Sequence, residues 1–122
     1  MTIGEALAKV DRLKPNQMMR EDKLFWLSEI EGRIYGEIID PEGRKGGFEG
    51  YSSKIGDDTE LMVPYPYDAL YIQWIKWNIE NTQGEQVYAN NTYALFKEIY
   101  GGYKRWCIRR EKRKQPRIKI LR

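Results

Sequence analysis

Two closely spaced prolines, followed by an aromatic helical stripe, place the strongest constraint on how this chain folds. Pro64 and Pro66 favour extended or turn backbone before them, and proline is tolerated in the first turn of a helix. Apolar and aromatic residues then recur every three to four positions: Leu70, Tyr71, Trp74, Ile75, Trp77 and Ile79. This pattern predicts a helix that begins near Tyr67 and is buried over a broad arc. We therefore interpret Trp74 and Trp77 as core residues.

Two further helices are predicted upstream. Thr2 and Glu5 fit a capping box, which predicts a helix from about Ile3 to the residues before Pro15. A second helix of about twenty residues is predicted from Arg20. The apolar positions of the two helices are Ile3, Leu7, Val10 and Leu13, then Leu24, Leu27, Ile30, Ile34 and Ile38, widened by Trp26, Tyr35 and Ile39. The charged residues of the second helix are interpreted as a solvent-exposed face: Glu21, Lys23, Glu29, Glu31, Arg33 and Glu37.

A fourth helix is predicted from about Glu85, after a break at Gly84. Its predicted apolar stripe is Val87, Tyr88, Asn91, Leu95, Ile99 and Gly102, extended by Tyr103, Trp106 and Cys107. The spacing of the aromatic residues also fits one unbroken helix across Gly84. We favour the break, because a helix of about forty residues is unusual in so small a domain.

The sequence therefore predicts an all-α fold, a small bundle of about four helices. The predicted helical domain covers residues 1–107, and a basic C-terminal tail covers residues 108–122. In that tail Ile118 and Ile120 alternate with Lys119, which is a weak signal for a short strand.

A glycine-rich segment at residues 40–56 is predicted to form a long loop between the second and third helices. It lacks the GxxxxGK[ST] arrangement of a phosphate-binding loop. The acidic residues that follow it lack EF-hand spacing, so we interpret them as an exposed turn rather than a metal site. A loop of this length is usually functional or mobile, and we expect it to contact a partner.

The residue inventory gives little support for catalysis. The 122-residue chain has no histidine and a single cysteine, Cys107, which excludes an internal disulfide and a Cys-His pair. We expect no enzymatic activity, no cofactor and no bound metal. Neither a membrane span nor a signal peptide is recognisable in the sequence, so we expect a cytosolic protein without membrane association.

Charge is distributed unevenly along the chain. The first 102 residues carry 11 basic and 17 acidic side chains, whereas the last 20 carry 10 basic side chains and one acidic residue, Glu111. The candidate contacts to an acidic partner or to nucleic acid are Lys104, Arg105, Arg109, Arg110, Lys112, Arg113, Lys114 and Arg117. Such a cluster gives a salt-dependent affinity for phosphates, so one hypothesis is a small nucleic-acid-binding protein.

A resemblance to small prophage proteins of the head-tail connector (adaptor) class rests on four segments in this order: KLFWLSEIEGRIYGEIID, GFEGY, TELMVPYPYDALYIQWIKWNIE and NNTYALFKEIY. The resemblance covers roughly residues 1–106. Its most specific part is the acidic turn, the V-P-x-P-Y-D start and the aromatic helix, matched by Glu60, Val63, Pro64, Pro66, Tyr67, Asp68, Leu70, Tyr71 and Trp74.

The resemblance implies a mostly helical structural protein that forms a ring below the portal and extends the DNA channel. The implied partners are the portal, other head-tail joining proteins and further copies of the chain, with transient proximity to DNA. The implied location is the host cytoplasm during assembly and then the neck of the virion. Loop residues assigned to assembly contacts are Arg44, Lys45, Phe48 and Tyr51. The long basic tail departs from the class.

Overall fold

The computed structural model describes residues 1–114 and contains four helices. Their bounds are α1 Ile3–Leu13, α2 Arg20–Ile34, α3 Ala69–Thr82 and α4 Gln86–Lys114. A π-helical turn, Tyr35–Ile39, continues α2. The predicted all-α class is confirmed: within residues 1–114 the only β-type pairing is an isolated bridge between Thr2 and Glu60.

The first two helices begin where the sequence places them. At α1 the Glu5 N–H group donates to Thr2 Oγ1 at 3.1 Å, and the Thr2 N–H group donates to Glu5 Oε1 at 2.8 Å. This capping box satisfies amide groups that the first turn leaves unpaired. The apolar stripes of α1 and α2 form much of the core, although Leu13 is exposed.

A tight turn separates α3 from α4, which confirms the predicted break. Gly84 has a φ of +75°, the left-handed conformation that commonly follows a helix end and that glycine adopts without steric cost. The two helices then pack antiparallel through aromatic rings. The Trp74 ring lies 5.0 Å from the Phe96 ring, and the Trp77 ring lies 4.9 Å from the Tyr93 ring, measured between centroids.

The predicted buried stripe of α4 is wrong in its first half and correct in its second, where Tyr103 is buried and Ile99, Trp106 and Cys107 pack against the core. The residues that face the core are Ala89, Thr92, Phe96, Tyr100 and Tyr103, whereas Val87, Tyr88, Asn91 and Leu95 are exposed. Both sets recur at helical spacing, so periodicity alone did not distinguish them. The aromatic side of α3 decides which side of α4 is buried in this half, because Trp74 and Trp77 pack against the Phe96 and Tyr93 rings.

Helix α4 continues as a regular helix through the start of the segment predicted as a tail, as far as Lys114. Tyr103 and Trp106 still pack against the Tyr67 ring, at centroid distances of 5.8 Å and 5.7 Å. Beyond Cys107 the side chains of residues 108–113 are exposed. The predicted strand at Ile118 and Ile120 lies outside the described residues. None of the described helices is long and apolar enough to cross a membrane.

Candidate interaction surfaces

The glycine-rich loop is anchored to α2 by a buried carboxylate. Glu31 is fully buried. Its Oε1 accepts from the Tyr71 hydroxyl at 2.5 Å, and its Oε2 accepts from the Tyr51 hydroxyl at 2.7 Å and from the Met62 N–H group at 3.1 Å. The Tyr71 hydroxyl in turn accepts from the Val63 N–H group at 2.9 Å. We call Glu31, Tyr51 and Tyr71 the Glu31 cluster; it joins α2, α3 and the chain between them.

The electrostatics of this cluster follow from its burial. Removal from water raises the pKa of Glu31, and the three donated hydrogen bonds oppose that rise. Burial, followed by the nearby carboxylate, raises the pKa of both Tyr51 and Tyr71 far above the ordinary value for tyrosine. The hydroxyl groups therefore stay protonated and act as donors.

The cluster corrects the prediction that every charged residue of α2 faces solvent. Glu31 lies four positions after Leu27 and three before Ile34, which is a position within the apolar stripe. Lys23 is also buried, and its Nζ lies 2.6 Å from Asp11 Oδ1 on α1. The spacing of Glu31 in the sequence indicated burial. The prediction followed the charge of the side chain instead and placed Glu31 on the solvent-exposed face.

The loop residues assigned to assembly contacts divide into two pairs. The backbone N–H groups of Arg44 and Lys45 each donate to the Asp40 carboxylate at 2.8 Å, and their side chains are exposed. Phe48 packs edge-on against Tyr51 at 5.1 Å, and the Tyr51 hydroxyl is held in the Glu31 cluster. The side chains of the first pair are exposed, whereas those of the second pair are partly buried.

The second half of the loop is held by Arg20. Its guanidinium donates to the carbonyl oxygens of Ser53 and Ile55, and it pairs with Asp57 at 2.8 Å. The Tyr51 N–H group also donates to Ser28 Oγ at 2.9 Å. The loop is thus held by Asp40 near its start and by Ser28 and Arg20 in its second half.

The basic residues of α4 occupy more than one side of the helix. Lys104, Arg105, Arg109, Arg110, Lys112 and Arg113 are all exposed, Lys114 ends the helix, and Arg117 lies outside the described residues. Arg110 lies over the Trp106 ring at 4.6 Å. Lys104 and Lys112 border a groove of about 360 Å³ that Ile38 and Pro41 also line.

Three of these residues share one side of the helix. Arg105, Arg109 and Arg113 are spaced four apart, which places them above one another along α4. We call them the basic stripe. In the part of the chain that the structure describes, none of the three is paired with a carboxylate.

An acidic stripe lies on the exposed side of α2. Glu21, Phe25 and Glu29 are also spaced four apart, and Asp22 lies beside them. Phe25 is 62% exposed and lies between the two glutamates of the stripe. The stripe borders a groove of about 370 Å³ lined by Phe25, Ser28, Glu49 and Tyr51 among others. This surface was not predicted from the sequence. The signal for it was Phe25, an aromatic residue outside the apolar stripe of α2.

No protein-family model, no curated protein and no solved structure matches this chain. Among the described residues there is also no group of three or more histidine, cysteine, aspartate or glutamate side chains arranged to hold a metal ion. The candidate site is a pair of charged surfaces on a helical scaffold, the basic stripe on α4 and the acidic stripe on α2.

Proposed function

We propose that this protein is a structural subunit of a phage or prophage head-tail connector. In this role several copies form a ring below the portal and extend the channel through which DNA passes. The protein acts in the host cytoplasm during assembly and then in the virion neck, and it acts by binding partners rather than by catalysis. The proposal rests on the sequence resemblance together with one structural observation.

That observation is the form of α4. The helix packs on the bundle as far as Cys107 and then carries exposed basic residues past the acidic body. Seven helical residues, 108–114, extend about 10 Å along the axis. A rigid helical arm of this kind reaches an acidic partner without a large entropic cost of ordering, which supports docking on a portal or on a neighbouring subunit.

Co-expression with the portal protein encoded beside this chain tests the proposal. We expect the full chain to purify with a tagged portal, and a variant lacking residues 109–122 to lose that association. Ending the chain at Ile108 retains Trp106 and Cys107, so far-UV circular dichroism and the melting temperature should stay close to those of the full chain. A full-length chain that fails to bind the portal would contradict the proposed function.

A second candidate function is non-specific nucleic-acid binding, which the alignment of the basic stripe favours. Three guanidinium groups on one helix side can neutralise about three phosphates, giving a salt slope of about −2.7 in log K on duplex DNA. The acidic body opposes approach to a polyanion. We expect at most weak binding at physiological salt, and tight binding to duplex DNA of any sequence with this salt slope would favour this candidate over the connector.

A further inference from the structure

The two charged stripes have matching dimensions. Arg113 lies eight positions after Arg105, and Glu29 lies eight positions after Glu21, which corresponds to about 12 Å along a helix axis in each case. Each stripe has its middle residue four positions from each end. A helix pair aligned along these stripes brings the two outer arginines against the two glutamates.

The middle positions are also complementary. Arg109 then faces Phe25, whose ring is exposed and borders an open groove. A guanidinium over an aromatic face is a favourable contact, and the same chain already forms one between Arg110 and Trp106 at 4.6 Å. An exposed phenylalanine in an acidic surface is explained by such a contact.

We propose that the basic stripe of one copy docks on the acidic stripe of a second copy. This inference rests on the proposed connector function, because it names the surfaces by which the subunits of the ring would meet. Within one chain the two stripes form no ion pair with each other. They lie on different helices and are not equivalent, so the contact is heterologous and repeats from copy to copy.

A second copy of the chain would contact both stripes, whereas DNA would contact only the basic stripe. Duplex DNA would contact the basic stripe and leave Phe25 and the carboxylates of α2 without a role. The second copy uses both stripes, and the opposite charges also fix which surfaces meet. The contact is small by the standard of stable interfaces, so association of the isolated chain is expected to be weak and salt-sensitive.

Charge reversal tests this contact. The variants are R105E/R113E, which keeps Arg109 opposite Phe25, and E21K/E29K, and a third chain combines both sets. Sedimentation velocity up to about 1 mM protein after nuclease treatment measures association. We expect the wild-type chain to associate at low salt, each single set to weaken association at least about 10-fold, and the combined chain to recover it because the charges are complementary again.

The matched control is K9E/R12E, which makes the same change in net charge as the arginine variant on exposed residues outside both stripes. We expect its association to equal that of the wild-type chain. The proposal is wrong if the wild-type chain stays monomeric, if the combined chain fails to recover association, or if the arginine variant loses only DNA binding. If the combined chain recovers association but the wild-type chain does not bind the portal, the stripes are a self-association surface and the connector function is wrong.

Discussion

Replacing Tyr71 with phenylalanine tests whether the Glu31 cluster holds the bundle and the loop together. The change removes one oxygen atom, which donates to Glu31 Oε1 at 2.5 Å and accepts from the Val63 N–H group at 2.9 Å. Glu31, Val63 and Tyr71 are each at most 1% exposed, so water cannot replace the lost partner without rearrangement.

The expected cost follows from these two losses. A hydrogen bond to a charged group contributes about 1.5–3 kcal/mol, and a buried N–H group left unpaired costs about 1–3 kcal/mol. Because both interactions involve the same oxygen atom, the two costs are not independent, and we expect Y71F to lower the free energy of unfolding by about 3 kcal/mol.

Tyr51→Phe is the matched control. Its hydroxyl donates only to Glu31 Oε2, which keeps the Met62 N–H group, and its side chain is only half-buried. We expect a loss of about 1.5 kcal/mol. Urea unfolding near neutral pH, followed by far-UV circular dichroism, measures both variants. A loss below about 1 kcal/mol for Y71F, or a larger loss for Y51F than for Y71F, would refute the reasoning.

The same structure supports three further predictions. Burial raises the pKa of Glu31 above its ordinary value of 4.5, so the native state binds the proton more tightly than the unfolded state does. The free energy of unfolding of the wild-type chain, minus that of E31Q, should therefore fall as pH rises through the window just above 4.5. Urea unfolding measures this difference, and a rise in that window would contradict the burial argument. Phe96→Ala should cost about 4 kcal/mol and Leu95→Ala less than about 0.5 kcal/mol in thermal unfolding, and the reverse order would reject the observed orientation of α4. Trp74→Ala should lower the melting temperature of the protein more than Trp77→Ala does. Of the two rings, Trp74 packs against the buried core, and its Nε1 donates to the Trp26 carbonyl oxygen at 2.9 Å. Equal melting temperatures would count against this difference.

Local signals in the sequence were sufficient to predict several helix boundaries, although not the end of α4. The capping box at Thr2 predicted the start of α1, and Gly84 predicted the break between α3 and α4. Both depend on interactions within a few residues of the chain. The α2 stripe was also predicted correctly, since Leu24, Leu27 and Ile30 allow only one apolar side.

The surfaces could be predicted only in part. The basic cluster is a matter of composition and was found, but the separation of Arg105, Arg109 and Arg113 from the other basic residues required knowing that α4 remains helical to Lys114. The exposed Phe25 was missed, although its position outside the apolar stripe of α2 was a signal in the sequence.

The sequence alone determined the helical class, the start of α1, the break between α3 and α4 and the concentration of positive charge near the C-terminus, because these follow from local hydrogen bonding, spacing and residue counts. Tertiary structure decided which side of α4 is buried and that Glu31 lies inside. Each depends on partners distant in sequence: the α3 rings for α4, and Tyr51, Met62 and Tyr71 for Glu31. A buried carboxylate is tolerated only where such donors meet it, and helical spacing does not show whether they do.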